Sequence, residues 1–201
     1  GGGFTNKVSN CQSTIAGGHT NCITGQYSFI GGGCNNTTGV NNYITIVGGQ
    51  SNIAAAPHTF IGGGRLNGID DVASDSSIVG GSTNCISGDV NGVFIGGGCN
   101  NRITGEYIEY TFIGGGEDNC INGECSNENT YSVIVGGRGN KTGGDSSFIG
   151  GGEFNQTAGC YAVVVGGINN TGSDIYSTIG GGNSNWAYEP STTIAGGTAN
   201  Y

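Results

Sequence analysis

Short apolar runs punctuate this chain at near-constant intervals. "SFIGGGCNN" occupies residues 28–36, and variants return as "TFIGGG" at 59–64, "VFIGGGCNN" at 93–101, "TFIGGGEDN" at 111–119 and "SFIGGGEFN" at 147–155. A Gly pair marks each copy, with first members at Gly2, Gly17, Gly32, Gly48, Gly63, Gly80, Gly97, Gly115, Gly136, Gly151, Gly166, Gly181 and Gly196. That makes thirteen copies with a basic period of 15 residues and longer spacings in the middle. Two places before the pair, all twelve complete copies carry Ile or Val, from Ile15 and Ile30 to Val164, Ile179 and Ile194. Four places after the first Gly, every copy carries Asn: Asn6, Asn21, Asn36, Asn52, Asn67, Asn84, Asn101, Asn119, Asn140, Asn155, Asn170, Asn185 and Asn200.

A run such as Ser28-Phe29-Ile30-Gly31 alternates β-branched and aromatic residues, which predicts a short strand. The Gly pair predicts a turn with positive φ, and Asn suits its far side because it tolerates the left-handed region. A second short strand follows, centred on Val8, Ile23, Ile69, Ile86, Ile103 or Ile121. A second Gly often closes the copy, as at Gly25, Gly88, Gly105, Gly123, Gly144 and Gly159. Two strands and two turns per copy predict one coil of an all-β, parallel β-solenoid of about thirteen coils. Coils stacked ~4.8 Å apart would build a rod on the order of 58 Å long. Stacking places like above like: the Ile/Val column becomes an apolar spine and the Asn column a ladder of amides.

The residues flanking the Ile/Val column face the opposite way. Phe29, Phe60, Phe94, Phe112 and Phe148 stand here, each with Gly two residues on. Where Thr, Ser or Val replaces Phe, the partner is Val or Ala, as in Thr45 with Val47; Thr178 with Gly180 is the exception. Conserved volume marks a packed face. A long apolar stripe on a solenoid is an association surface, and closed symmetry is usual for homo-oligomers. The expectation is a homotrimer with the five Phe at the seam, the neighbouring Gly making room on the threefold axis.

Composition narrows the partners. Gly supplies 45 of 201 residues, a share that suits disorder unless a strict period imposes order, as here. Net charge is −9 with only five Lys plus Arg, which excludes a nucleic-acid partner and an anionic membrane surface. No run is long and apolar enough for a transmembrane helix. Both ends fall inside a repeat, so residues 1–201 read as one repeat array cut from a longer chain.

The pattern [ST]-x-[IV]-[GAV]-G-G-x-x-N-x-x-x-G-x-x-[ST] resembles the head repeats of trimeric autotransporter adhesins. It is also similar to Gly-rich arrays in phage and large-virus fibres. The resemblance covers the whole chain and implies a left-handed trimeric β-roll serving host-surface attachment, with a glycan or protein as receptor and a place on a cell or virion surface. This chain departs from the adhesin heads in carrying two or three Gly where they usually have one, and in its eight Cys.

Those cysteines scatter over the repeat, so a disulfide ladder is not expected; Cys120 and Cys125 share one insertion and are the one candidate pair. Free thiols favour assembly in a reducing cytosol. His19 and His58 lie three copies apart, too few and too distant for zinc, and no cofactor is expected. Acids cluster at Glu106, Glu109, Glu117, Asp118, Glu124 and Glu128, which reads first as a solvated face. No nucleophile–base pair stands out, so an enzyme is not expected. N-glycosylation sequons at Asn35, Asn36, Asn140, Asn155 and Asn169 come free with an Asn/Thr-rich repeat.

The copies spanning about 65–133 lengthen between the second strand and the next first strand. These insertions are expected as loops on one side of the rod, where recognition usually sits. They carry Tyr107, Tyr110 and Tyr131 beside acids, a mix suited to receptor contact. Ice binding is the alternative function, but its flat Thr array is missing: the nearest column reads Thr14, Phe29, Thr45, Phe60, Ser77, Phe94.

Overall fold

The computed structural model describes residues 2–123 and 131–201. Among the described residues there is no helix, and the strands form two parallel sheets of twelve strands each. The first sheet runs from Thr14–Ile15 to Thr193–Ile194 and holds the Ile/Val column; the second runs from Lys7–Val8 to Trp186–Ala187. The chain alternates between them, so each strand pairs with the equivalent strand one coil away and not with its chain neighbour. Registers are set copy on copy, as Ile15↔Ile30, Ile30↔Ile46 and Ile46↔Ile61. The fold is a β-solenoid.

A third ladder runs along the corner after the Gly pair. Phe4, His19, Cys34, Gln50, Arg65, Ser82, Cys99, Glu117, Arg138, Glu153, Ile168, Asn183 and Thr198 are joined one to the next by single parallel bridges. Each coil therefore has three hydrogen-bonded sides around a core two side chains wide. Ile15 through Ile194 face Ile23, Ala54, Ile69, Ile86, Ile103, Ile121 and Ala187 across it, all buried.

The Asn column is the polar half of that interior. Asn36 shows the arrangement: its Nδ2 donates to the carbonyls of Gly32 in its own coil and Gly49 in the next, both at 2.9 Å. Its Oδ1 accepts the backbone N–H of Asn52 at 3.0 Å. The same bonds recur along the rod, and Asn21, Asn36, Asn52, Asn67, Asn84, Asn101, Asn119, Asn140, Asn155, Asn170 and Asn185 are buried. One amide thus bonds three backbone groups, one in its own coil and two in the next, and the Gly49 carbonyl also accepts the Cys34 N–H at 2.9 Å.

A second polar ladder, not foreseen beyond the [ST] of the repeat pattern, lies at the other corner. Ser28, Thr59, Ser76, Thr111, Ser132, Ser147 and Ser177 are buried there. Ser28 Oγ donates to the Gln26 carbonyl at 3.0 Å and accepts the backbone N–H of Ile44 at 3.2 Å in the next coil.

Two expectations need correction. The left-handed residue of the Gly corner is not the ladder Asn but the residue before it, as at Thr20, Asn35, Ser51, Leu66 and Thr83. The ladder Asn spends its amide on its own coil and the next and is not among the positive-φ residues, so the corner residue makes the left-handed turn. Nor do the middle insertions all form loops. Cys85–Asn91 and Arg102–Glu109 are continuous strands paired with each other. They widen the second sheet because Val90 and Ile108 point inward and are buried, which adds apolar core instead of exposed chain.

Candidate interaction surface

The outer face of the first sheet carries the five Phe foreseen from the sequence. Phe29, Phe60 and Phe112 are exposed, Phe94 and Phe148 half-buried. Phe94 and Phe112 lie on adjacent strands and stack with ring centroids 5.3 Å apart. Between the Phe coils, Val47, Val79, Val135 and Val165 each remain about half exposed on the same face. The result is an apolar stripe along the rod that the described residues leave uncovered.

The Phe–Gly pairing has a cause inside the single chain. A Cβ built on Gly114 would lie 2.2 Å from the Val135 carbonyl oxygen of the next coil and 3.2 Å from Phe112 Cε1. The equivalent distances at Gly31 are 2.3 Å to the Val47 oxygen and 3.3 Å to Phe29 Cε1. Each ring lies over its own Gly, and the neighbouring backbone forbids a side chain there. Thr178 with Gly180 obeys the backbone rule alone: a Cβ on Gly180 would meet the Ala195 oxygen at 2.5 Å. The Gly therefore follows from coil stacking, whether or not a threefold axis is present.

The corner preceding the first sheet carries an aromatic column. Tyr27 and Tyr43 stack at 5.0 Å and Tyr161 and Tyr176 at 5.2 Å, while Tyr43 and His58 lie 5.2 Å apart with their rings tilted by 33°. His58 Nδ1 lies 3.2 Å from Asp75 Oδ1, and Asn91 Nδ2 donates to Asp75 Oδ2 at 3.2 Å, so the column continues as polar contacts. Tyr27, Tyr43, His58, Asp75, Tyr110, Tyr161 and Tyr176 all have positive φ. For bulky residues that costs roughly 1–2 kcal/mol each, and ring stacking of about 0.5–1.5 kcal/mol per pair offsets part of it. A shallow recess of about 370 Å³ lies between this corner and the apolar stripe, lined by Tyr43, Thr45, His58, Thr59 and Phe60. In the sequence each residue of the column stands three places before an Ile or Val of the repeat, as Tyr27 before Ile30, Tyr43 before Ile46 and Tyr161 before Val164.

The receptor-contact candidates divide. Tyr110 and Tyr131 come together, stacked at 5.8 Å within the aromatic column, and both are exposed. Their faces cover one another, which leaves edges and hydroxyls to solvent. Tyr107 sits apart from that column in the strand Arg102–Glu109. The register steps from Asp89↔Glu106 to Val90↔Ile108, so Tyr107 is the extra residue of a β-bulge, left-handed and exposed. Bulges re-aim side chains, and this one turns Tyr107 to solvent.

The remaining chemistry is sparse. Among the described residues no three His, Cys, Asp or Glu converge on a possible metal position. Glu124, Cys125 and Glu128 lie outside the described residues, and with Cys125 the proposed Cys120 pairing. Cys11, Cys22, Cys34, Cys85, Cys99 and Cys160 are free thiols. Cys34 Sγ lies 3.8 Å from His19 Nδ1 on the coil before. Among the described residues no helix is long and apolar enough to cross a membrane. No protein-family model matches the chain, and no curated protein matches it.

Proposed function

We propose that this chain is a structural segment of a surface fibre, a shaft or head that associates as a homotrimer and serves host-surface attachment without catalysis. The observation that supports the reading is the apolar stripe of Phe29, Val47, Phe60, Val79, Phe112, Val135 and Val165, exposed along one side of the rod, with the half-buried Phe94 and Phe148 between them. Stripes of this extent mark association surfaces, and a second and third copy of the same chain supply matching apolar faces. The aromatic corner then lies beside the seam, and with the bulged Tyr107 of the second sheet it offers contact points for a receptor, a glycan or a protein.

Ice binding fits less well. The outward column alternates Thr and Phe, and the stacked rings break any flat array of hydroxyls. Light scattering on the purified chain tests the main reading. A trimer of 20.0 kDa chains would have a mass of about 60 kDa. A stable monomer would sink the seam and leave the stripe without its proposed cover; thermal hysteresis by that monomer would revive ice binding.

A further inference from the structure

Five sequons run through this repeat, and the structure separates them into two kinds. Asn35 and Asn169 stand on the exposed left-handed corner, where their Nδ2 groups reach only neighbouring hydroxyls, Ser51 Oγ at 3.2 Å and Ser184 Oγ at 3.4 Å. Asn36, Asn140 and Asn155 are ladder residues with no solvent exposure. Both Nδ2 hydrogens of each are in use. Asn140 donates to the carbonyls of Gly136 at 2.9 Å and Gly152 at 3.0 Å, and Asn155 to those of Gly151 and Gly167, both at 2.9 Å. Asn36 donates likewise to Gly32 and Gly49.

N-glycosylation at such a position is incompatible with the fold. Transfer from a lipid diphosphate donor breaks the sugar C1–O bond and forms a C1–Nδ2 bond. One Nδ2 proton is lost, and the lipid diphosphate leaves. A ladder amide would then lack one of its two donated bonds and would carry a glycan inside a core two side chains wide.

The hydroxyls that complete these three sequons do nothing else visible in the fold. Thr38, Thr142 and Thr157 are buried on the inner column of the second sheet, and their Oγ1 atoms have no hydrogen-bond partner. Ile23, Ile69, Ile86, Ile103 and Ile121 occupy the same column in other coils. An apolar residue in place of each Thr would erase the sequon and remove an idle buried hydroxyl together. A chain that folds where sequons are modified would be expected to carry it. The free thiols at Cys11, Cys22, Cys34, Cys85, Cys99 and Cys160 point independently to folding outside an oxidising secretory compartment.

We infer that this rod is built to fold in a compartment without N-glycosylation, because three of the amides that bind its coils together are themselves acceptor sites. The inference goes beyond the fibre reading and does not depend on it.

The test expresses the 201-residue chain in one eukaryotic cell line in two forms, one left in the cytosol and one directed to the endoplasmic reticulum. Protease resistance reports the fold, and mass spectrometry of the peptides locates glycans. The expected cytosolic chain is resistant and unmodified. The expected secretory chain carries glycan at Asn36, Asn140 or Asn155 and is digested. Blocking synthesis of the lipid-linked oligosaccharide should restore resistance without any substitution. The triple variant Thr38→Val, Thr142→Val, Thr157→Val should do the same, with glycan confined to Asn35 and Asn169. The inference is overturned by a secretory chain that is resistant, or by one that stays digestible once glycosylation is blocked. A cytosolic chain that is itself digested would overturn it equally.

Discussion

Asn101 Oδ1 accepts the backbone N–H of Asn119 at 3.1 Å, eighteen residues along the chain and one coil away. The same side chain donates to the carbonyls of Gly97 at 2.8 Å and Gly116 at 2.9 Å. Asn101→Ala would strand two backbone groups, the Asn119 N–H and the Gly97 carbonyl, each worth about 1–3 kcal/mol when left unpaired, less whatever water enters the gap; the Gly116 carbonyl keeps the Cys99 N–H at 2.9 Å. The expected net loss is about 3 kcal/mol. Hydrogen exchange at the Asn119 amide is the local readout, since coils interact mainly with their neighbours. An amide at Asn119 protected as before would show that the ladder is decorative.

Thr157 invites the opposite change. Its hydroxyl is buried without a partner, and Val has nearly the same shape. Thr157→Val should raise stability by about 1 kcal/mol, the desolvation of an idle hydroxyl. Thermal unfolding of the single variant decides the matter; a lower midpoint would mean that the Oγ1 has a partner after all.

Adjacent glycines should respond very differently to one methyl group. A Cβ on Gly80 meets nothing within 4 Å, whereas on Gly81, with φ +91°, it meets the Gly98 carbonyl oxygen at 2.1 Å and Asn84 Nδ2 at 2.6 Å. Gly80→Ala should therefore change stability by less than about 0.5 kcal/mol, and Gly81→Ala should lower it by ~4 kcal/mol or prevent folding. Denaturant titration of the two variants side by side gives the comparison. Equal effects would show that the corner backbone is softer than its geometry implies.

At the proposed seam, Phe94→Ser with Phe112→Ser removes the stacked pair while leaving Gly96 and Gly114 in place. The chain should keep its β spectrum and protease resistance, since both rings face outward, and should lose trimer mass in light scattering. A double variant that stays trimeric would place the seam elsewhere.

The repeat announced much of this architecture, and the reasons are visible at single residues. Ile30 and Ile46 recur because each packs on its own copy, so period and core face are written in the same letters. Asn36 recurs because its amide ties its own coil to the next. The left-handed corner was misplaced because Asn is the residue usually expected there, and nothing local shows that the Asn36 amide is already committed to its own coil and the next. Thr20, Ser51 and Leu66 accept the strained φ although their types do not advertise it. The widened coils were misread for a similar reason. Val90 and Ile108 become core only when Cys85–Asn91 lies beside Arg102–Glu109, and pairing between insertions cannot be seen in either one alone. Tyr107 looked like a loop residue because a bulge is a mismatch between two strands and not a property of one.

The separation between successive ladder residues varies from 15 to 21 along the chain, yet Asn119 Oδ1 still accepts the Asn140 N–H at 3.0 Å, as Asn155 Oδ1 accepts that of Asn170. Among the described residues, added length falls beyond Ile86 and Ile103, in the extended strands Cys85–Asn91 and Arg102–Glu109. The Gly corner thus works as a binding spine, like that of a book whose pages differ in width. Foreign segments spliced between the second strand of one coil and the first strand of the next should leave every spine bond intact. The rod is on that account a carrier for diverse inserts at a fixed axial spacing.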